Sequence, residues 1–165
     1  MVPTLAASTL TVEKEAPMFD TVIWATDGSE AAQKALPFAK TLAASPGTKL
    51  VVAHVREILS GRAGGYPARA DEEDVIAALK QQVDQLRNDG FDASLEIVTS
   101  FDPNAAHALA DVALQVGGDV IVVGTRGRGV VAGLLLGSVA QRLLHVAHCP
   151  VLAVPPAART EAAVA

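Results

Sequence analysis

The sequence predicts a doubly wound α/β domain, a five-stranded parallel sheet with helices on both faces. Three observations predict it. Five short runs rich in β-formers recur along the 165 residues. Most of them are nearly continuous in apolar residues, which is how a strand buried on both faces reads. The segments between them carry helical spacing, giving the order βαβαβαβαβ, and right-handed crossovers fold that order into a parallel sheet.

The elements follow in chain order. Thr21–Thr26 (TVIWAT) is the first strand, ending in the turn Asp27-Gly28-Ser29. Ala35, Ala39 and Leu42 share a helical face, but Pro37 interrupts it and predicts a kink. Leu50–Val55 is the second strand, and residues 56–70, with three Gly and a Pro, read as a long mobile loop. Val75, Leu79, Val83 and Leu86 line a second helix that stops at Asn88-Asp89-Gly90. Ser94–Thr99 is the third strand. Asp102-Pro103 reads as an N-cap followed by Pro at the first helical position, leading into Ala105, Leu109, Val112 and Val116 on one face and a stop at Gly117-Gly118. Val120–Gly124 is the fourth strand and Val151–Pro155 the fifth, with a helix opening at Gly137-Ser138 between them. Residues 1–17 and 157–165 show no sustained period and read as flexible tails around a domain spanning 18–156.

Composition narrows the function. Half the residues are apolar, 19% are charged and the net charge is −5. That balance suits a single packed domain and lacks the basic footprint of a nucleic-acid binder. Cys149 is the single cysteine, and no Cys/His spacing matches a zinc site. The N-terminus has no signal-peptide pattern, and no apolar stretch approaches the roughly 20 residues that a membrane helix needs. A cytoplasmic protein with no membrane or nucleic-acid partner is the expectation. Charge is unevenly placed, however. No acidic residue lies between Asp119 and Glu161, a window holding Arg126, Arg128 and Arg142. This stretch is either a cation-rich anion site or a solvated loop.

Open parallel sheets bind ligands at the carboxyl ends of their strands, which singles out Thr26-Asp27, His54-Val55 and the segment Gly124–Ser138 (GTRGRGVVAGLLLGS). Gly124 and Gly127 would let backbone approach a ligand without a Cβ clash. Gly137-Ser138 opens a helix whose first amides and dipole suit phosphate. Ser138 with Gln141 is also a capping-box pattern that needs no ligand, so Ser138 is expected to cap in the free protein and touch phosphate when ligand is present. A Walker A loop is excluded because no Lys follows these glycines. Gly127, Gly129 and Gly133 follow the fourth strand rather than the first, and no acid stands about 20 residues on, which argues against a dinucleotide site.

The spacing Gly124-x2-Gly127-x9-Gly137-Ser138 resembles the universal stress protein family in its ATP-binding subgroup. VIWATDGSE in the first strand and turn and HCPVLAVP at the close resemble that family's ends, so the likeness runs from about Asp20 to Pro155. It implies strand order 3-2-1-4-5 in a Rossmann-like fold of the adenine nucleotide alpha hydrolase type. It implies Thr26 and Asp27 against adenosine, and Val55 on adenine. Gly124, Thr125, Arg126, Gly127 and the adjoining Arg128 would surround ribose and phosphates, and Gly137, Ser138 and Val139 would grip phosphate. It further implies ATP, with or without Mg2+, as ligand, AMP or cyclic AMP as alternatives, and a homodimer through Val151–Pro155.

Single residues keep two readings. Asp27 either meets ribose hydroxyls or a cation, or caps the helix expected from Ser29. His54 sits in an apolar run and reads as a core histidine. His145 and His148 suit the last turn of the final helix. Cys149 reads as a small buried apolar residue. No nucleophile–base pair is visible, so a ligand-sensing regulatory protein is expected ahead of a slow ATPase or self-phosphorylating protein, and an ATP pyrophosphatase-like loop would want more glycine than TDGSE offers.

Overall fold

A computed structural model describes residues 16–61, 64–67, 70–101, 104–126 and 136–156. The strands are β1 (Thr21–Ala25), β2 (Lys49–Gly61), β3 (Gly64–Pro67), β4 (Asp92–Ser100), β5 (Val120–Gly124) and β6 (Val151–Val154). The helices are α1 (Glu30–Gln33), α2 (Leu36–Leu42), α3 (Glu72–Asn88), α4 (Ala105–Val116) and α5 (Ser138–Val146). The parallel sheet runs β4-β2-β1-β5-β6, which is the order 3-2-1-4-5 of the five predicted strands.

The unbroken apolar runs are explained by alternation. Successive strand residues point to opposite faces. Val22, Trp24, Leu50 and Val52 enter one core with Ala35, Ala39, Leu79 and Val83. Ile23, Ala25, Val51, Ala53, Ile121 and Val123 enter the other with Leu109, Val112, Ala140 and Leu143. Both faces are covered, so no strand position in the middle of the sheet can be polar without a partner. The buried Trp24 indole, for one, donates to Ala32 O at 3.1 Å.

Three local expectations are corrected. The kink at Pro37 is a full break: α1 ends at Gln33, α2 begins at Leu36, and Pro37 stands in the first turn of α2. There its missing N–H costs nothing. Residues 56–70 are not simply a loop. β2 continues to Gly61, and β3 pairs with it antiparallel, Ile58 opposite Pro67 and Leu59 opposite Tyr66. The two short arms, glycines among them, satisfy each other's backbone groups in a way a loop could not. The N-cap of α4 is Asn104, two residues past Asp102, which with Pro103 lies outside the described residues. The helix stops hold: Gly90 and Gly117 sit at φ 94° and 65°, a conformation that suits glycine.

Candidate functional site

The sheet order reverses between β1 and β5, and ligands of open parallel sheets bind at such a point. A cleft of about 380 Å3 opens there. Its floor comes from the ends of β1, β2 and β5, one wall from α4, and its far side from the start of α5. Nine predicted residues line it: Thr26, Asp27, Val55, Gly124, Thr125, Arg126, Gly137, Ser138 and Val139. Gly127 and Arg128 lie outside the described residues. A larger hollow of about 530 Å3 lies between the end of β4 and α4, and none of the predicted residues lines it.

The β1 side of the cleft is tied down. Thr26 donates its N–H to Ala53 O at 2.9 Å, and its Oγ1 accepts from Gly28 N at 3.1 Å. Asp27 Oδ1 accepts from Ser29 N at 2.9 Å. Asp27 is therefore not the helix cap. Ser29 is the N-cap, its Oγ accepting from Ala32 N at 3.2 Å, and the helix starts at Glu30. The turn needs Gly28, which has φ 76° and would drive a Cβ to 2.7 Å from Val75 Cγ1.

Beneath this turn lies a buried polar chain. His54, 1% exposed, bonds Thr26 O through Nδ1 at 2.9 Å and Glu72 Oε1 through Nε2 at 2.6 Å. A carbonyl only accepts, so Nδ1 carries its hydrogen. One further proton then lies between Nε2 and the carboxyl oxygen. His54 is the satisfied core histidine expected. Its partner Glu72, 2% exposed at the first position of α3, gave no signal in a sequence where Glu72, Glu73 and Asp74 look alike.

The β5 side is different. Thr125 donates its N–H to Val154 O at 2.8 Å and accepts at its carbonyl from Gly137 N at 2.5 Å, which clamps the end of β5 to the start of α5. Its side chain is another matter: Oγ1 is buried and has no hydrogen-bond partner among the described residues. The N-cap of α5 is Gly137, which has no side chain to cap with. Ser138 is the first helical residue and not the cap, a correction to the capping-box reading. The first-turn amides thus have neither intrahelical acceptors nor a side-chain cap among the described residues.

Gly124 also changes meaning. A Cβ there would stand 3.0 Å from Ala31 O, 3.2 Å from Arg126 O and 3.3 Å from Ala32 Cα. Close packing of α1 against β5 accounts for this glycine without any ligand. Glu57, Ala105 and Leu109 line the cleft as well. Sequence reasoning missed Glu57 because it falls in the segment read as a loop. Elsewhere, His145 lies in the last turn of α5 while His148 falls beyond the helix. Cys149 is half-buried; burial first, then the charge of Asp119, pushes its thiol pKa up. That favours the inert thiol over the thiolate nucleophile.

Comparison with known proteins places this architecture. The model of the universal stress protein family matches residues 18–155. The chain belongs to the universal stress protein family. It is 33% identical over 140 residues to a Thermus aquaticus universal stress protein, covering 83% of this chain and 99% of that one. Among solved structures, it resembles a universal stress protein in complex with cAMP, with TM-score 0.60 and 27% identity, covering 87% of this chain and 98% of the other. It also resembles the universal stress protein from Archaeoglobus fulgidus in complex with dAMP, with TM-score 0.58 and 26% identity, covering 84% and 99%. No helix among the described residues of this universal stress protein is long and apolar enough to cross a membrane.

Proposed function

We propose that the cleft binds an adenine nucleotide, ATP in the first instance, and that the protein is a ligand-sensing regulator of the stress response. The observation that carries this reading is the buried, unpartnered Thr125 hydroxyl beside the uncapped first turn of α5. Leaving such a group unmade costs about 1–3 kcal/mol, and an anionic ligand with acceptor and donor oxygens would satisfy both features. Phosphates would then sit against Gly137, Ser138, Val139 and Arg126, with Gly127 and Arg128 expected to close over them. Adenosine would lie toward Thr26, Asp27 and Val55. Mg2+ would enter on the triphosphate, since this cation is usually held by substrate phosphates with at most one or two carboxylates.

Calorimetric titration with ATP, ADP, AMP, cyclic AMP and GTP tests the reading. We expect one adenine nucleotide per chain and weaker GTP. Absence of any adenine-nucleotide binding at millimolar ligand sinks it. The cAMP and dAMP complexes of the two neighbours favour a second reading, in which AMP or cyclic AMP outcompetes ATP in the same titration. Turnover is expected to stay well below about 1 s⁻¹, because no lysine lines the cleft among the described residues and, of its two acids, Asp27 accepts from Ser29 N within the turn. Hydrolysis of several ATP per second, lost in Gly137→Ala, would make the enzyme reading the better one.

The protein is expected to act in the cytoplasm as a homodimer through the β6 edge. β6 ends the sheet, with Leu152 37% exposed, and an unpaired edge invites pairing with a second copy. Sedimentation should give about twice 17.0 kDa; a monomer at tens of micromolar counts against it.

A further inference from the structure

We infer that Glu57 makes the cleft a charge filter, accepting nucleotides that are anionic at the 5′ end and discriminating against those carrying a second phosphate on the ribose. This rests on the nucleotide reading above and names the ligand class within it.

The cleft is electrically polarised along the sheet. Glu57 lines it from the extension of β2, two residues beyond Val55 and so on the same side of the strand. Arg126 and the start of α5 line it from the other side. β1 lies between β2 and β5, so the two ends are two strand spacings apart, about 10 Å. That is roughly the length of a nucleoside. A ligand whose phosphate occupies the α5 end therefore carries its sugar and base toward a carboxylate.

The two acids of the cleft are not equivalent. Asp27 Oδ1 accepts from Ser29 N, so its carboxylate is occupied in shaping the turn. Glu57 is half-buried, and among the described residues no hydrogen bond or ion pair engages its carboxylate. A sugar hydroxyl or a base amino group can donate to it, whereas a phosphate at that end meets like charge. At separations of about 6 Å in a wet cleft, like-charge repulsion of this kind amounts to a several-fold change in affinity.

The test is titration of AMP and adenosine 3′,5′-bisphosphate into the full chain and into Glu57→Gln, which keeps shape and removes charge. The unfolding midpoint of both proteins is measured alongside. We expect the unaltered protein to prefer AMP, and Glu57→Gln to narrow that preference about fivefold at low salt, with the difference shrinking as salt is raised. An unchanged ratio in Glu57→Gln, or an equal gain for both ligands, overturns the filter. Failure of AMP while ATP binds also overturns the filter, whereas failure of AMP and ATP alike to bind the unaltered protein at millimolar concentration would instead overturn the nucleotide reading on which the filter rests. Glu57→Lys is the second variant: it should invert the preference, and retention of the original preference there also overturns the proposal.

Discussion

The two sides of the cleft differ in how their polar groups are satisfied. On the β1 side, Thr26 and Asp27 accept from backbone amides of the turn, and beneath it the buried His54 joins Thr26 O to Glu72. On the β5 side, among the described residues, the Thr125 hydroxyl is buried without a partner and the start of α5 has no side-chain cap. The first side is built to hold its shape with nothing bound. The second carries unused hydrogen-bonding capacity, which is where a ligand gains most. Preorganisation on one side and open valence on the other lets a binding site be rigid without being self-satisfied.

The largest expected effect comes from breaking the closed side. Glu72→Ala should lower unfolding free energy by about 3–5 kcal/mol, the usual consequence of orphaning one member of a buried pair. Glu72→Gln should lose much less, because its amide N–H can donate to a neutral His54 Nε2 while Nδ1 still donates to Thr26 O. Denaturant midpoints at constant slope would check this. Equal losses in the two variants would mean that packing, not the hydrogen-bonded chain, holds the turn.

The two glycines of the β5 side should separate next. Gly124→Ala forces a methyl against backbone atoms at 3.0 and 3.2 Å, and overpacking of this kind costs about 1–3 kcal/mol. Its effect is on stability with or without nucleotide. Gly137→Ala should instead weaken nucleotide binding about tenfold, or about 1.4 kcal/mol, with a smaller change in midpoint. If Gly137→Ala loses stability and binding equally, the glycine serves the fold alone.

The smallest and sharpest test is Thr125→Val. Replacing an unpaired buried hydroxyl by a methyl of the same shape should leave the ligand-free protein unchanged or raise its stability by up to about 1 kcal/mol. Nucleotide affinity should fall. A clear loss of ligand-free stability would show that the hydroxyl already has a partner, and the contrast between the two sides would dissolve.

Much of this could be read from the sequence, for identifiable reasons. The strands were legible because burial on both faces leaves no room for polar residues, as at Val22–Ala25 and Val120–Val123. The helix faces of Val75, Leu79, Val83 and Leu86 were legible because their spacing matches the helical turn. The hairpin of β2 and β3 was not, since glycines and a proline suggest a loop until the antiparallel partner is seen. Gly124 lines the cleft, but no local pattern shows that helix packing also demands it: a Cβ there would press on Ala31 and Ala32, remote in sequence. The Ser138–Gln141 motif fits a cap at Ser138, but the chain enters α5 one residue earlier.

The sequence by itself determined the fold class, the family and the strand ends from which a site could be built, because these rest on local periodicity and on residues close together in the chain. Only the tertiary structure decided which polar groups are satisfied. His54 and Glu72 are 18 residues apart, and Thr125 lacks a partner only once β6 and α5 have closed around it. Hydrogen-bond satisfaction depends on what arrives from elsewhere in the chain, and no local pattern encodes that.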